Sequence, residues 1–435
     1  MKKLKVMIRI MFLGVFSILL LQACDDPLNV TPRDSLSPAD MGVEDIDRVL
    51  NGVYLAYQNA GGHVDKVVFD LMGGNLAPPP GREASERYNI MRGEVEPDEG
   101  LLQTMWYGYY SALYRANTLL EVLEGINTNR AMEIQGVTHY FRAYGYYNLV
   151  TRFGGVPILR ENTRRFVERN TEDEVWDFII EELELAIELA PPYNRVNNYY
   201  YVSAEAAKAL LARVALTVGD NERAVQLAEE VIGSGHFSLS QDYRGIFHGG
   251  SNTETIFAFA NIRGEGVPPG GLFTPTNYPR GGSYFWVPTQ EAMDMFSGDR
   301  RASAVFTFFG NLPMANKHPG GLQGGDPIQV SRIAELYLIS AEAQGPAGIS
   351  RLNELRSIRG LPAINISDED EYLYAILDER NKELIWENFR FYDLVRTGKA
   401  LEVLEHFDSE HLLRLPIPLR EMNLNPNLVQ NPGYF

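Results

Sequence analysis

Apolar residues recur along 204–232 at the spacing of a helix. Ala207, Leu210, Leu211, Val214, Ala215 and Val218 form one stripe at i, i+3, i+4, i+7, i+8 and i+11. Gly219-Asp220-Asn221 interrupts it, and a second stripe follows at Ala224, Leu227, Ala228, Val231 and Ile232. Two helices joined by so short a loop pack antiparallel. Ala212, Ala215, Ala224 and Ala228 keep the facing surfaces small, so the backbones can approach closely. This is the pattern of a tetratricopeptide hairpin, whose period is about 34 residues. One hairpin cannot bury both its faces and needs neighbours.

The rest of the chain supplies them. Helical spacing runs over 43–60 (Ile46, Val49, Leu50, Val53, Tyr54, Tyr57), 106–124, 131–150 and 175–189. Thr171-Glu172-Asp173-Glu174 reads as a capping box for the last of these, and Pro191-Pro192 stops it. Residues 61–104 lose all periodicity, with Gly73-Gly74-Asn75 and Pro78-Pro79-Pro80-Gly81 as breakers. A long loop in a compact protein is usually functional or disordered. Over 237–329 the stripes vanish, Gly and Pro become dense, and only 255–260 and 304–309 are β-prone. Helices are expected again at 331–343, 350–359 and from about Glu371, capped by Ser367 to Asp370. Pro416, Pro418, Pro426 and Pro432 predict an extended, turn-rich tail. The expected fold is mostly α: a tetratricopeptide-like helical hairpin scaffold with an irregular, loop-rich insertion and little β.

The beginning of the chain has a different character. Lys2, Lys3, Lys5 and Arg9 precede an apolar run from Ile10 to Leu21, too short to cross a bilayer and of signal-peptide size. Leu21-Gln22-Ala23-Cys24 then resembles a bacterial lipobox, although Gln22 departs from the small residue usual there. Cys24 is the only cysteine, so no internal disulfide can form. It stands where cleavage and acylation need a thiol. Two or three acyl chains, palmitate among them, would anchor firmly at ~0.8 kcal/mol per buried methylene. The expected organisation is a lipoprotein signal peptide at 1–23 and an acylated Cys24 with its tether at 24–42. A helical scaffold follows at 43–236, containing a ligand loop at 61–104. The irregular insertion is placed at 237–329, and C-terminal helices with the tail at 330–435.

The formal net charge of −18 becomes −22 once the first 23 residues are removed, leaving 35 basic against 57 acidic side chains. That argues against nucleic acid or an anionic membrane surface as partner; plain solubility explains it equally well. Signals for catalysis are poor. There is no H-E-x-x-H, no Cys–His set, no G-x-S-x-G elbow and no phosphate-binding glycine loop. With so many acids, paired carboxylates are inevitable and argue nothing about glycoside hydrolysis. Asp368 to Glu371 lacks calcium-loop spacing. No catalytic residue, metal or cofactor is expected.

Several stretches resemble the SusD/RagB family. They are Arg332 to Ala343, Leu352 to Arg359, and the run Glu379, Arg380, Glu383, Glu387, Arg390, Tyr392-Asp393-Leu394 and Arg396. Phe141-Arg142-Ala143 leading to Gly154-Gly155-Val156-Pro157 joins them, as does the tail Leu415 to Glu421 with Asn425-Pro426 and Gln430 to Tyr434. Val137 departs from the glutamate common in relatives, and the insertion matches only at Asp299-Arg300-Arg301. The resemblance implies a non-catalytic outer-membrane surface lipoprotein. Such a protein captures oligosaccharides, or in some relatives peptides, and delivers them as a lid to a SusC-like TonB-dependent transporter.

Sugar capture needs flat apolar faces for pyranose C–H groups and amide, carboxylate or guanidinium groups for hydroxyls. Trp286, Tyr284 and Tyr278 in the insertion, and Asn75, Arg82 and Tyr88 in the first loop, supply those types. The competing reading makes Trp286 and Phe285 anchors of the insertion. Tyr199-Tyr200-Tyr201 can also stack, or can pack where the loop enters its hairpin. Trp106 and Trp176 lie on helical stripes and are expected in the core. Glu387, Arg390, Asp393 and Arg396, three apart, favour buried pairs that fix register over ligand contacts. Arg332, Glu335 and Glu342 read as a network, not as acid–base machinery. The rival functions are peptide capture, a hydrolase or lyase using loop carboxylates, and a pure protein–protein scaffold.

Overall fold

The computed structural model describes residues 41–83, 85–248, 252–266 and 268–434. The signal peptide, the lipobox with Cys24 and nearly all of the tether lie outside the described residues. The fold below is that of the unit Ile46–Phe435.

Helices dominate. In chain order the long ones are α1 (Ile46–Asn59), α2 (Gly100–Leu123), α3 (Asn129–Phe153), α4 (Glu172–Leu189), α5 (Ala204–Thr217) and α6 (Asn221–Gly233). After the insertion come α7 (Ile333–Ala343), α8 (Ile349–Ile358), α9 (Glu369–Leu384) and α10 (Arg390–Arg396). Neighbours in sequence pack on one another: α2 on α3, α3 on α4, α5 on α6, and α6 on α7. The stripes of the 204–232 hairpin are buried as their spacing requires, with Ala207, Val214, Ala215, Ala224 and Ala228 at or near zero exposure. Thr171 and Glu174 form the reciprocal capping box, and the Asp368 side chain accepts the Glu371 N–H at the start of α9. Gly136 lets α3 meet the end of α4: a Cβ there would lie 2.2 Å from the Ala190 amide nitrogen.

Some boundaries differ from the sequence expectation. α2 begins at Gly100, six residues before Trp106, because Leu102 and Met105 continue the buried stripe. Ser331 and Arg332 are strand, not helix. They belong to β6 (Ile328–Arg332), which pairs antiparallel with β2 (Thr255–Phe259). The region 61–104 contains the short helices Gly62–Asp65 and Val68–Met72, β1 (Leu76–Ala77) and a 3₁₀ segment. A turn of helix, Leu419–Leu424, interrupts the tail. The described strands form three two-stranded pieces: β1 with β3 (Val287–Pro288), β2 with β6, and the hairpin β4 (Phe306–Phe309) with β5 (Leu312–Ala315).

Charges hold the insertion to the C-terminal helices. Glu383 on α9 is fully buried. Its carboxylate accepts from Arg301 (2.8 Å), Arg332 (3.0 Å) and Arg359 (2.8 and 2.9 Å). Its backbone carbonyl accepts from Lys317 (2.9 Å), Arg332 (3.0 Å) and Tyr243 (2.7 Å). Glu254, Glu379, Glu387, Asp299 and Arg356 complete the cluster. Glu387, Asp393 and Arg396 are buried as the register reading expects; Asp393 and Arg396 pair along α10, as their three-residue spacing implies, while the other pairings cross elements. Glu387 meets Lys317 and Arg332, Asp393 meets Arg380 and Arg396, and Arg396 also meets Glu342. Arg390 is half-buried and donates to the Leu377 carbonyl. Glu335 is satisfied by Arg213 of α5.

Burial alone would favour the neutral acid at Glu383, but Arg359, Arg332 and Arg301 hold its carboxyl well below the usual range. Glu387 is held down by Arg332 and Lys317 against the same burial. A folded-state value below the unfolded one contributes stability above the unfolded pKa, and that stability is lost as pH falls toward the folded value. Replacing Glu383 by Gln leaves three guanidinium groups under-compensated and should cost about 3–5 kcal/mol. Urea unfolding between about pH 3 and 7 checks this: the wild type should lose stability on acidification, and E383Q should be weaker throughout with a flatter profile.

Candidate ligand-binding site

The insertion stands on an aromatic core. Trp286, Tyr88, Trp386, Phe273 and Phe296 are buried together there with Leu71, Ile246 and Val305. The chain takes an unusual path to place Trp386. Trp386 and Asn388 both lie in the left-handed region, at φ 64° and 70°, a conformation that costs a bulky residue on the order of 1–3 kcal/mol. Asp70 offsets the strain: its carboxylate accepts the Trp386 amide at 3.1 Å and the Asn388 amide at 2.9 Å. Asn388 in turn accepts the Phe69 amide at 2.7 Å and donates to the Asp65 carbonyl at 2.9 Å. Burial outweighs these hydrogen bonds and pushes the Asp70 carboxyl up to about 6. Held this way, the Trp386 indole donates to the Val305 carbonyl at 3.2 Å and packs edge-on against Phe306, where the β4–β5 hairpin begins.

Two concavities adjoin this core. One, between Asp65, Arg152, His318 and the Trp386–Phe389 segment, holds about 60 Å³, room for a few waters but not for a sugar ring. The other is an open cleft of about 670 Å³, within the size range of small-molecule sites. Tyr200 and Tyr278 are its aromatic walls. Arg244 and His248 enter from the short helix Tyr243–Phe247 and its C-cap, a helix capped by the Asp242 side chain at the Gly245 amide. Arg280 follows Tyr278 in a turn closed by the Gly281 N–H on the Tyr278 carbonyl. Ser303, Thr307, Asn316 and Asp326 add polar groups. His248 Nε2 lies 2.9 Å from the Asn316 carbonyl, and burial together with the nearby Arg244 lowers its pKa. Asp326 accepts the Gly320 amide at 2.6 Å, and burial pushes its carboxyl up to about 6. The cleft thus combines rings for stacking with donors and acceptors for hydroxyls.

The six candidates from the sequence fall in three places. Tyr278 reaches the cleft and packs edge-on against Phe309 at 5.5 Å. Tyr284 and Arg82 are beside it: Arg82 is exposed and donates to the Tyr284 carbonyl at 3.3 Å, and the Tyr284 hydroxyl donates to the Pro313 carbonyl. Trp286 and Tyr88 lie beneath, 1% and 2% exposed, in edge-to-face contact at 4.9 Å. The position of Trp286, with Phe285 packed against the same core, matches the anchoring alternative, and Tyr88 joins them there. Asn75 is buried elsewhere, donating to Asp70 and Asn381. Trp106 and Trp176 are in the core, as expected. Arg244, His248, Arg280, Asn316 and Asp326 were not singled out in the sequence. They sit where periodicity is silent, although Tyr278-Pro279-Arg280 does carry a turn signal beside a ring. Tyr200, read only as able to stack, does line the cleft. Trp286→Ala should lower stability by about 3–5 kcal/mol, whereas Tyr278→Ala should change it by less than about 1 kcal/mol; chemical denaturation separates the anchor from the wall.

Among the described residues no group of acids, histidines or cysteines is placed to hold a metal. Known proteins share this architecture. Residues 28–216 match a SusD-like family model described as starch-binding and associating with the outer membrane, and residues 314–412 match the SusD family model. SusD-like protein P38 of Formosa agariphila is 25% identical over the whole of both chains, and SusD-like protein P2 of that organism is 25% identical over 96% of this chain and 98% of its own. A solved laminarin-binding SusD-like protein is 25% identical and superposes with a TM-score of 0.78, covering 90% of this chain and 99% of its own. Surface glycan-binding protein A from Bacteroides uniformis reaches 0.79 at 22% identity over 89% and 99%. With these matches in sequence and in fold, the chain belongs to the SusD/RagB family.

Proposed function

We propose that the chain is a non-catalytic binding protein that captures oligosaccharide in the Tyr278–Tyr200 cleft. It passes the ligand to a SusC-like TonB-dependent transporter, over which it acts as the lid. Acylated Cys24 tethers it to the outer membrane at the cell surface. The cleft carries the reading: it is open, of ligand size, and joins two rings to a polar rim. Pyranose rings present the complementary pairing of apolar C–H faces and equatorial hydroxyls. The laminarin-binding and glycan-binding relatives support the ligand class. The lipobox supports the anchor; among the described residues no helix is long and apolar enough to cross a membrane.

Isothermal titration against a panel of oligosaccharides tests the ligand class. At least one glycan should bind, and Tyr278→Ala should weaken it about tenfold through loss of the stacking face. Binding of a protein digest but of no sugar would move the reading to peptide capture. Release of reducing ends by the purified protein would make it an enzyme. Cys24→Ser should shift the protein out of the membrane fraction; unchanged membrane association would remove the lipid anchor.

A further inference from the structure

We infer that the cleft takes a negatively charged saccharide, one bearing carboxylate or sulfate groups, in preference to a neutral glucan. The inference rests on the cleft being the glycan site. It starts from an imbalance of charge. The chain as a whole is strongly acidic, at −18, and its buried arginines are matched by carboxylates, as Arg152, Arg213, Arg301, Arg332 and Arg359 are. The cleft reverses that pattern. Arg244 and Arg280 are both exposed on its wall. Among the described residues neither makes an ion pair: Arg280 donates to the Pro319 carbonyl at 3.0 Å, and Arg244 has no side-chain partner.

The two guanidinium groups act on common ground. Both bear electrostatically on His248, which lies on the same wall and is lowered by burial and by their charge. Among the described residues one carboxylate lines the cleft, that of Asp326. One of its oxygens is taken by the Gly320 amide at 2.6 Å, and burial raises it to about 6. Arg280 draws it toward the ionised form, but it is a single negative charge against two guanidinium groups, so the wall keeps an excess of positive charge. A guanidinium presents a planar fork of N–H donors that matches the paired oxygens of a carboxylate or a sulfate ester. A neutral sugar filling the cleft would remove water from both forks and return only hydroxyl acceptors. A cationic concavity in an acidic protein also focuses the field on anionic ligands. Tyr278 and Tyr200 accept the ring face of such a saccharide as they would of any pyranose.

The test is calorimetric titration of the mature chain with three short oligosaccharide series: uronate-containing, sulfated, and the same backbones after carboxyl reduction or desulfation. A charged series should bind about tenfold or more tightly than its neutral counterpart, and the difference should shrink as salt is raised. The Arg244→Gln, Arg280→Gln double variant should abolish that preference while leaving thermal unfolding unchanged, because both side chains are exposed. Whichever of uronate or sulfate binds more tightly identifies the acidic group. Neutral backbones binding as tightly as charged ones would overturn the inference and leave glycan capture standing. So would a preference that survives the double variant. No binding by any series would instead remove the glycan site itself.

Discussion

The structure depends on one buried carboxylate. Glu383 sits where α9, the insertion and the β2–β6 pair converge, and it faces Arg301, Arg332 and Arg359 at once. Burying a charge is tolerable only when its partners surround it and every donor and acceptor is used. Here the tally is even: Asp299, Glu254, Glu379, Glu383 and Glu387 face Arg301, Arg332, Arg359, Arg356 and Lys317. Aromatic faces finish the enclosure, with Lys317 4.5 Å over the Phe247 ring and Arg359 4.9 Å over Tyr243. Such a cluster adds little stability over an apolar one of the same volume. What it contributes is geometry, because shifting the insertion would pull Arg301 and Lys317 away from Glu383 and Glu387.

That geometry reaches the cleft through short connections. Tyr243 donates to the Glu383 carbonyl, and the next residue, Arg244, faces the cleft. Glu383 precedes the Trp386–Asn388 turn that Asp70 clamps, Glu387 lies within it, and Trp386 supports the hairpin that brings Thr307 to the cleft wall. The strained backbone is therefore a support for the site. Trp386 packs into the core, Asn388 bonds back to the Asp65 and Phe69 backbone, and the carboxylate that stabilises both lies 316 residues away in sequence from Trp386.

Much of the scaffold was legible because helices leave a local record. The stripes of α5 and α6, the Thr171–Glu174 box and the Asp368 cap are each set by residues within a turn or two of one another. The insertion left only its two β-prone runs, which became β2 and β4, since the rest of its order comes from pairings such as β2 with β6 and Arg332 with Glu383, both remote in sequence. The same limit applied to the site. An aromatic in a loop signals equally a ligand platform and an anchor, and composition could not separate Trp286, which is buried, from Tyr278, which reaches the cleft. Charge was legible only as a sum: a net −18 conceals a wall where two arginines stand together, because that wall is assembled from the segments at 244 and 280.

The fold separates what holds from what touches. The cleft walls are contributed by short segments around 200, 244–248, 278–280, 303–307, 316–319 and 325–327. None of their cleft-facing charges belongs to the Glu383 cluster. Exchanging Arg244 or Arg280 therefore leaves every buried ion pair intact, and the desolvated charges that fix the insertion stay compensated. The converse does not hold: a change at Glu383 or Asp70 disturbs the supports of the Arg244 and Thr307 walls together. A scaffold of this kind can change the sugar it prefers through single exposed side chains while its core chemistry stays constant. Rim residues of the cleft should therefore differ among relatives far more than the buried acids and arginines beneath them.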